Sequence, residues 1–111
     1  MNHLPNCENA RIPIEKLVDY LLNFDHIRGS SKADYFSRFG YRQANFDEFA
    51  TALSILACAG EVTEIRRTAR GESFRVEGIL ITPDGRNPTI VSIWAIDVDQ
   101  SIPRLISAYP N

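Results

Sequence analysis

The stretch AGEVTEIRRTARGESFRVEGILIT, residues 59–82, marks the point where the pattern of the chain changes from helical to strand-like. Before Gly60, apolar residues recur at helical spacing. After it, "EVTEIRRTA" and "ESFRVEGILIT" flank Arg70 and Gly71. Two such runs on either side of a turn predict a β-hairpin. Gly60 is therefore the boundary between a helical first half and a strand-rich second half.

Two further strands are predicted after the hairpin. The sequence PDGR at 83–86 is a turn, because Pro presets φ, Asp bonds back to the backbone and Gly takes the left-handed position. "PTIVSIWAID" (88–97) and "RLISAY" (104–109) then form strands three and four, joined by a longer loop. Helices followed by an antiparallel meander of four strands predict an α+β domain with helices on one face of the sheet.

Three helices are predicted in the first half. Pro13 suits the first turn of a helix over 13–23, because its missing N–H is not needed there. A second helix begins at Ser30 or Ser31 and runs through Phe39, with Gly40 as its C-terminal stop.

The third helix is predicted from Asn45, which with Glu48 resembles a capping box, to the residue before Gly60. The apolar stripes of the three helices define the predicted core. Its members are Leu17, Leu21, Phe36, Phe49, Leu53 and Leu56, packed against Val76, Ile93 and Leu105.

Length and composition fit one soluble domain. The chain has 111 residues, of which 44% are hydrophobic and 23% charged, an ordinary globular balance. Residues 1–11 lack periodicity and are predicted to be a flexible N-terminal tail, so the domain spans 12–111. No stretch is long enough for a membrane span, and the N-terminus has no signal pattern. These features predict a cytoplasmic protein without membrane contact.

Cys7 and Cys58 are the only cysteines. Two cysteines without a nearby histidine partner make a poor zinc site, and they do not indicate a disulfide framework. We interpret both as reduced thiols, with Cys58 as a small buried apolar residue in the third helix.

The formal net charge of −2 argues against a general nucleic-acid binder. The basic residues are nevertheless clustered. Residues 28–42 and 66–75 each contain four basic residues against one acidic residue. The two segments form a local basic face if they meet in space, and two ordinary solvated faces if they do not.

Two segments together carry a resemblance to a known family. They are "IPIEKLVDYLLN…DHIRGSSKADYFSRFGY" and "VEGILITPDGRNPTIVSIWAIDVDQSIPRLISAYP". They resemble a bacterial domain-of-unknown-function family that occurs alone and at the C-termini of polymorphic toxins. That family is similar to the barnase–EndoU–colicin–RelE group of ribonuclease toxins, which place their chemistry on an open sheet face. The resemblance implies activity toward RNA.

Metal-free RNA cleavage needs a base for the 2′-hydroxyl, a cation for the phosphate and an acid for the 5′-oxygen. His26 is the candidate for proton transfer, or else a histidine that only holds a turn. Lys32 in "GSSK" is a candidate phosphate ligand, or else a solvated first-turn residue. The predicted catalytic residues are His26, Lys32, Arg86 and Ser107.

The predicted substrate-binding residues are Trp94, Arg104 and Tyr109. Trp94 would stack a base if it faces outward and would otherwise belong to the core. Arg104 could clamp a phosphate through two hydrogen bonds or serve as a surface ion-pair residue.

The carboxylates are scattered, and no nucleophile elbow or Cys–His arrangement is visible, so no metal and no cofactor are predicted. Two functions remain open. The first is a toxin-type, metal-independent endoribonuclease acting on RNA, with a small cognate antitoxin or immunity protein. The second is a non-catalytic protein-binding module, such as an antitoxin, an immunity partner or a degenerate toxin relative.

Overall fold

A computed structural model describes residues 2–111 and confirms the α+β architecture. Strand β1 spans Glu61–Thr68, β2 Gly71–Ile79, β3 Thr89–Asp97 and β4 Arg104–Pro110. The strands form one antiparallel sheet in the order β1-β2-β3-β4, with each strand hydrogen-bonded to the next in sequence. This is the meander that the change of period at Gly60 predicts.

Within residues 2–111, three helices precede the sheet, besides the short 3-10 helices Cys7–Asn9 and Gln43–Asn45. Helix α1 consists of an α-helical turn, Ile14–Lys16, that continues as a π-helical segment, Leu17–Leu21. Helix α2 spans Ser30–Ser37 and α3 spans Phe46–Ala59. Within residues 2–111, none of the helices combines the length and apolar character that crossing a bilayer demands.

Two helix boundaries show how the sequence stops and starts these elements. Gly40 ends the α2 region with a φ of 104°, and a Cβ there would lie 2.9 Å from the Cβ of Pro83. The predicted capping box was wrong, because Asn45 makes no side-chain cap to α3. Its amide instead accepts a hydrogen bond from the Arg42 N–H and donates one to the Gly40 carbonyl.

The helices cover one face of the sheet, and the core lies between the two layers. All six helical residues predicted for the core are at most 1% exposed, and so are Val76 and Leu105. Ile93 was wrongly included, because strand alternation turns it to the opposite, uncovered face, where it is half-buried.

Residues 2–11, predicted as a flexible tail, lie against the domain in the structure. Leu4 is 2% exposed and belongs to the core cluster. The N–H of Val62 donates to the Asn2 carbonyl at 3.0 Å. The backbone N–H of Arg11 donates to the Pro103 carbonyl at 2.8 Å, and the Arg11 carbonyl accepts from the Leu105 N–H at 2.9 Å. The segment therefore runs as a strap from the edge of β1 to the edge of β4.

The interpretation of the cysteines as reduced thiols was wrong. Cys7 and Cys58 form a disulfide across 51 residues, with their Cα atoms 5.2 Å apart. The strap brings Cys7 onto α3, a non-local contact that two isolated cysteines do not reveal. Disulfides persist in oxidising compartments. The bond therefore does not favour the cytoplasmic location, which stays a prediction.

Removing the disulfide is expected to destabilise the domain, because it no longer limits the unfolded chain. For a closed loop of this length, the loss is at most about 4 kcal/mol in the free energy of unfolding. Urea unfolding with and without a thiol reductant measures it. The Cys7→Ala/Cys58→Ala variant should unfold at the same urea midpoint as the reduced protein, and its midpoint should not change when reductant is added. Equal midpoints for the oxidised and reduced parent would contradict the prediction.

Two neighbouring residues of α3 provide a matched test of the core. Leu53→Ala should lower the free energy of unfolding by about 2–5 kcal/mol, because Leu53 is fully buried. Ile55→Ala should change it by no more than about 0.5 kcal/mol, since Ile55 is 51% exposed. Chemical denaturation of the two variants measures both values, and similar losses would show that the assigned core face is wrong.

Candidate functional site

A bulge in β4 places three of the predicted site residues on the uncovered face of the sheet. Arg104 pairs with Ala95, Ser107 with Ile93, and Tyr109 with Val91. The register shifts between Ile93 and Trp94, so Ile106 is left without a partner. Arg104, Ser107 and Tyr109 therefore share one face, although a regular strand would separate Arg104 from Ser107.

Trp94 lies on the other face, and its prediction as a base-stacking residue was wrong. The ring is 0% exposed and lies opposite Phe74 in the core. Its indole N–H donates to the Ser92 hydroxyl at 2.8 Å. A base cannot reach a ring that the helical layer covers, so Trp94 serves packing.

Arg86 is engaged within the turn that precedes β3. Its guanidinium pairs with Asp84, bonds to the Arg38 carbonyl and lies 4.4 Å from the centre of the Phe39 ring. The Arg86 backbone N–H and guanidinium hold the pKa of Asp84 below its usual value. Arg86 therefore fastens the turn to the end of α2, and it does not line the depression beside Tyr20 and Ser107.

Arg104 makes two hydrogen bonds to the Asp97 carboxylate, at 2.8 and 3.2 Å. These bonds are the main cause of the lowered pKa of Asp97 and of the raised pKa of Arg104. A bidentate pair of this kind uses the donors that a phosphate would need. Arg104 is thus placed as an ion-pair residue, the second of the two roles considered for it.

Tyr20 brings together the remaining predicted residues. Its hydroxyl lies 3.0 Å from the Ser107 hydroxyl, joining α1 to β4 across 87 residues. The His26 ring centre is 5.0 Å from that of Tyr20, in an edge-on arrangement. The Lys16 and Lys32 ammonium groups each lie 5.6 Å from the ring centre. Tyr20 is therefore the centre of a polar cluster at the edge of the sheet.

A depression of about 440 Å³ opens at this cluster. It is lined by Glu15, Lys16, Asp19, Tyr20, His26, Arg28, Ile106 and Ser107. We use the name Tyr20 pocket for the group Lys16, Tyr20, His26, Arg28, Lys32 and Ser107. In the lining, Lys16 and Arg28 are balanced by Glu15 and Asp19, and Lys32, beside the Tyr20 ring, adds a third cation.

His26 has one nitrogen committed to the backbone. Its Nδ1 accepts hydrogen bonds from the N–H groups of Arg28 and Gly29, each at 3.0 Å. The hydrogen-bond geometry therefore assigns the proton of the neutral ring to Nε2. His26 holds the turn before α2, as its alternative interpretation predicts, and keeps a single N–H donor for other partners.

Gly29 sets the distance between this turn and α1. A Cβ on Gly29 would lie 2.2 Å from the Tyr20 carbonyl oxygen and 2.9 Å from its ring. Only glycine allows so close an approach without a shift of the backbone. The same contact brings His26 and Lys32, which flank Gly29 in the chain, up to the Tyr20 ring.

Sequence reasoning missed Tyr20, Lys16 and Arg28. Lys16 and Tyr20 are four residues apart and so share a side of the helix, which was a usable local signal. The contact of Tyr20 with Ser107 had no such signal, because it depends on where α1 meets the edge of β4.

A second depression, of about 380 Å³, lies on the uncovered face of the sheet. Its polar walls include Glu64, Arg66, Ser73 and Arg75, and Ile93 and Tyr109 also line it. Arg66 pairs with Glu64 at 2.7 Å, and Arg75 pairs with Glu77. The pKa of Arg75 is raised mainly by its hydrogen bond to Glu77, with a smaller effect of Tyr109. The walls of this depression are therefore close to neutral.

Within residues 2–111, a single group of three potential metal ligands lies close together: Cys7, Glu8 and Cys58. The two sulfur atoms of that group are bonded to each other. A disulfide offers no thiolate to a metal ion. None of these three residues lines the depression at Tyr20.

The family model described as "Domain of unknown function (DUF6883)" matches residues 3–111. The chain belongs to this family. Membership confirms the part of the resemblance that concerns a domain-of-unknown-function family, and it includes all but two residues of the chain. No curated protein resembles this DUF6883 domain closely enough to count as a relative.

A solved structure shares the fold. It is described as "Contact-dependent growth inhibition toxin - immunity protein complex from Klebsiella pneumoniae 342". The likeness has a TM-score of 0.70 and 17% sequence identity, and it covers 90% of this chain and 98% of the other. At that identity, the likeness establishes the fold alone.

The Tyr20–Ser107 hydrogen bond can be tested by a double-mutant cycle. Tyr20→Phe and Ser107→Ala each remove one hydroxyl from a partly buried pair. Their coupling in the free energy of unfolding should be about 1 kcal/mol, the net contribution of such a bond. Tyr35→Phe combined with Ser107→Ala is the control. The effects of these two changes on the free energy of unfolding should add within about 0.5 kcal/mol. Chemical denaturation gives the four values, and zero coupling would contradict the contact.

Proposed function

We propose that this DUF6883 domain is a toxin-type, metal-independent endoribonuclease whose catalytic centre is the Tyr20 pocket. The observation that carries the proposal is the assembly around Tyr20 of a hydroxyl pair, a histidine N–H donor and three cations. These are the groups that a phosphodiester cleavage without a metal requires. The fold likeness to a structure described as a toxin–immunity complex supports the same proposal.

The cations provide the binding site for the scissile phosphate. Lys16 and Lys32 approach the Tyr20 ring from α1 and α2, and Arg28 lines the same depression. Positive groups held in place stabilise the extra negative charge that develops on the phosphate oxygens in the transition state. The Nε2–H of His26 donates to one of those oxygens, since its Nδ1 is already occupied.

The hydroxyl pair carries the proton. In transesterification, the 2′-oxygen bonds to phosphorus, the bond to the 5′-oxygen breaks, and one proton moves from the former to the latter. The hydroxyls of Tyr20 and Ser107 lie in hydrogen-bond contact. One oxygen accepts the 2′ proton while the pair releases another to the 5′-oxygen, so both hydroxyls are restored. His26 therefore has the role of a hydrogen-bond donor to phosphate.

RNA is the proposed substrate because its 2′-hydroxyl supplies the nucleophile from within the chain to be cut. DNA lacks that group and would need an activated water. A small cognate immunity or antitoxin protein is the proposed protein partner, as expected for a toxin domain.

Cleavage of RNA by the purified domain tests this function. Tyr20→Phe keeps the ring and its contacts with the lysines but removes the hydroxyl, so the rate should fall about 10²–10⁴-fold. Lys32→Ala should lower it on the order of 10²-fold. Tyr35→Phe, a change of the same kind outside the pocket, should leave the rate unaltered. Activity should persist in excess EDTA.

Three outcomes would contradict the proposal. They are a parent protein that does not cleave RNA, full activity in Tyr20→Phe, or an activity that is lost in EDTA and restored by a divalent ion. Folding of each variant is checked by its thermal unfolding, so that a loss of activity is not a loss of structure.

A non-catalytic protein-binding module is the second candidate. The net charge of −2 and the pairing of Arg66, Arg75, Arg86 and Arg104 with carboxylates favour it, because both weaken attraction to RNA. The solved structure with the shared fold is described as a complex of a toxin and an immunity protein. Likeness to a toxin chain would suit the enzyme, and likeness to an immunity chain would suit the binding module. Expression under tight control separates them: growth arrest with RNA cleavage supports the enzyme, and harmless expression supports the module.

A further inference from the structure

We propose that the depression on the uncovered sheet face is a subsite for one nucleobase of single-stranded RNA, adjacent to the phosphate held in the Tyr20 pocket. The inference rests on the proposed function and adds the part of the substrate that lies beyond the reacting phosphate. It assigns Tyr109 and Ile93 as the stacking surface, with Ser73, Glu64 and Arg66 at the rim.

The two depressions adjoin each other. Glu64, Arg75, Ile93 and Ser107 pair in register across all four strands and form one row on the uncovered face. Ser107 ends this row at the Tyr20 pocket, and Ile93 is its neighbour in the second depression. Directly paired side chains lie about 5 Å apart. A strand of RNA bound at Ser107 therefore passes straight onto Ile93.

The cations of the two depressions differ in their pairing. Within residues 2–111, Lys16, Arg28 and Lys32 at the Tyr20 pocket form no ion pair with a carboxylate, so they remain available to a phosphate. In the second depression, each arginine is matched by a glutamate, Arg66 by Glu64 and Arg75 by Glu77. A neutral group with hydrogen-bonding edges fits such walls better than an anion does, and a nucleobase is such a group.

The aromatic surface is in the right place for stacking. Tyr109 is half-buried on the same face as Ser107, two residues along β4. Its cross-strand partner Val91 is 0% exposed although this face carries no helices. Neighbouring side chains of this face therefore cover Val91, and the half-buried Tyr109 ring lies on β4 beside this buried apolar residue. Proteins that bind single strands stack bases on aromatic side chains.

Binding of a short, 2′-O-methylated, single-stranded RNA of mixed sequence tests the subsite without cleavage, because the reacting hydroxyl is blocked. Fluorescence anisotropy measures the dissociation constant. Tyr109→Leu, which keeps an apolar cover over Val91, should weaken binding about 5- to 150-fold. Tyr109→Phe should bind like the parent. In the cleavage assay, Tyr109→Leu should raise KM and leave kcat unchanged.

An abasic oligonucleotide with the same backbone separates base contacts from phosphate contacts. It should bind the parent and Tyr109→Leu equally, whereas Lys32→Ala should weaken the binding of both oligonucleotides. Equal affinity of Tyr109→Leu and parent for the base-carrying strand would overturn the subsite, as would equal weakening for the abasic strand. Either result leaves RNA cleavage by the parent unaffected, so failure of the subsite is distinguishable from failure of the proposed ribonuclease.

Discussion

The burial of Trp94 between the sheet and the helices is the constraint on which the rest of this structure depends. Trp94, Ser92 and Val76 face the helical layer, where each is 0% exposed. Because side chains alternate along a strand, this burial turns the intervening residues to the uncovered face. The same alternation that builds the core therefore determines which residues are available for binding.

The candidate site lies where the helical layer meets the sheet edge. Tyr20 extends from α1 to Ser107, and Gly29 lets the turn carrying His26 approach α1 closely. The polar groups thus come from two helices, one turn and one strand, and Arg28 among them is exposed. The site is therefore built by contacts between distant parts of the chain.

The strap and its disulfide tie residues 2–11 to both edges of the sheet and to α3. The hydrogen bonds of Arg11 occupy the edge of β4 near Leu105, and the bond from Cys7 to Cys58 fastens the strap to α3. An exposed strand edge is a place where other chains can pair. The strap therefore adds stability and covers part of an edge that would otherwise be open.

The sequence by itself determined the elements and most of the core, because periodicity and turn chemistry are local: the change at Gly60, the hairpin at Gly71 and the apolar stripes all appear in the structure. It also singled out His26, Lys32 and Ser107, which the structure brings together. Only the tertiary structure decided the rest. Tyr20 as the centre, the Cys7–Cys58 bond, the inward Trp94 and the carboxylate partners of Arg86 and Arg104 depend on side-chain orientation or on contacts between distant residues, and neither leaves a pattern in the chain.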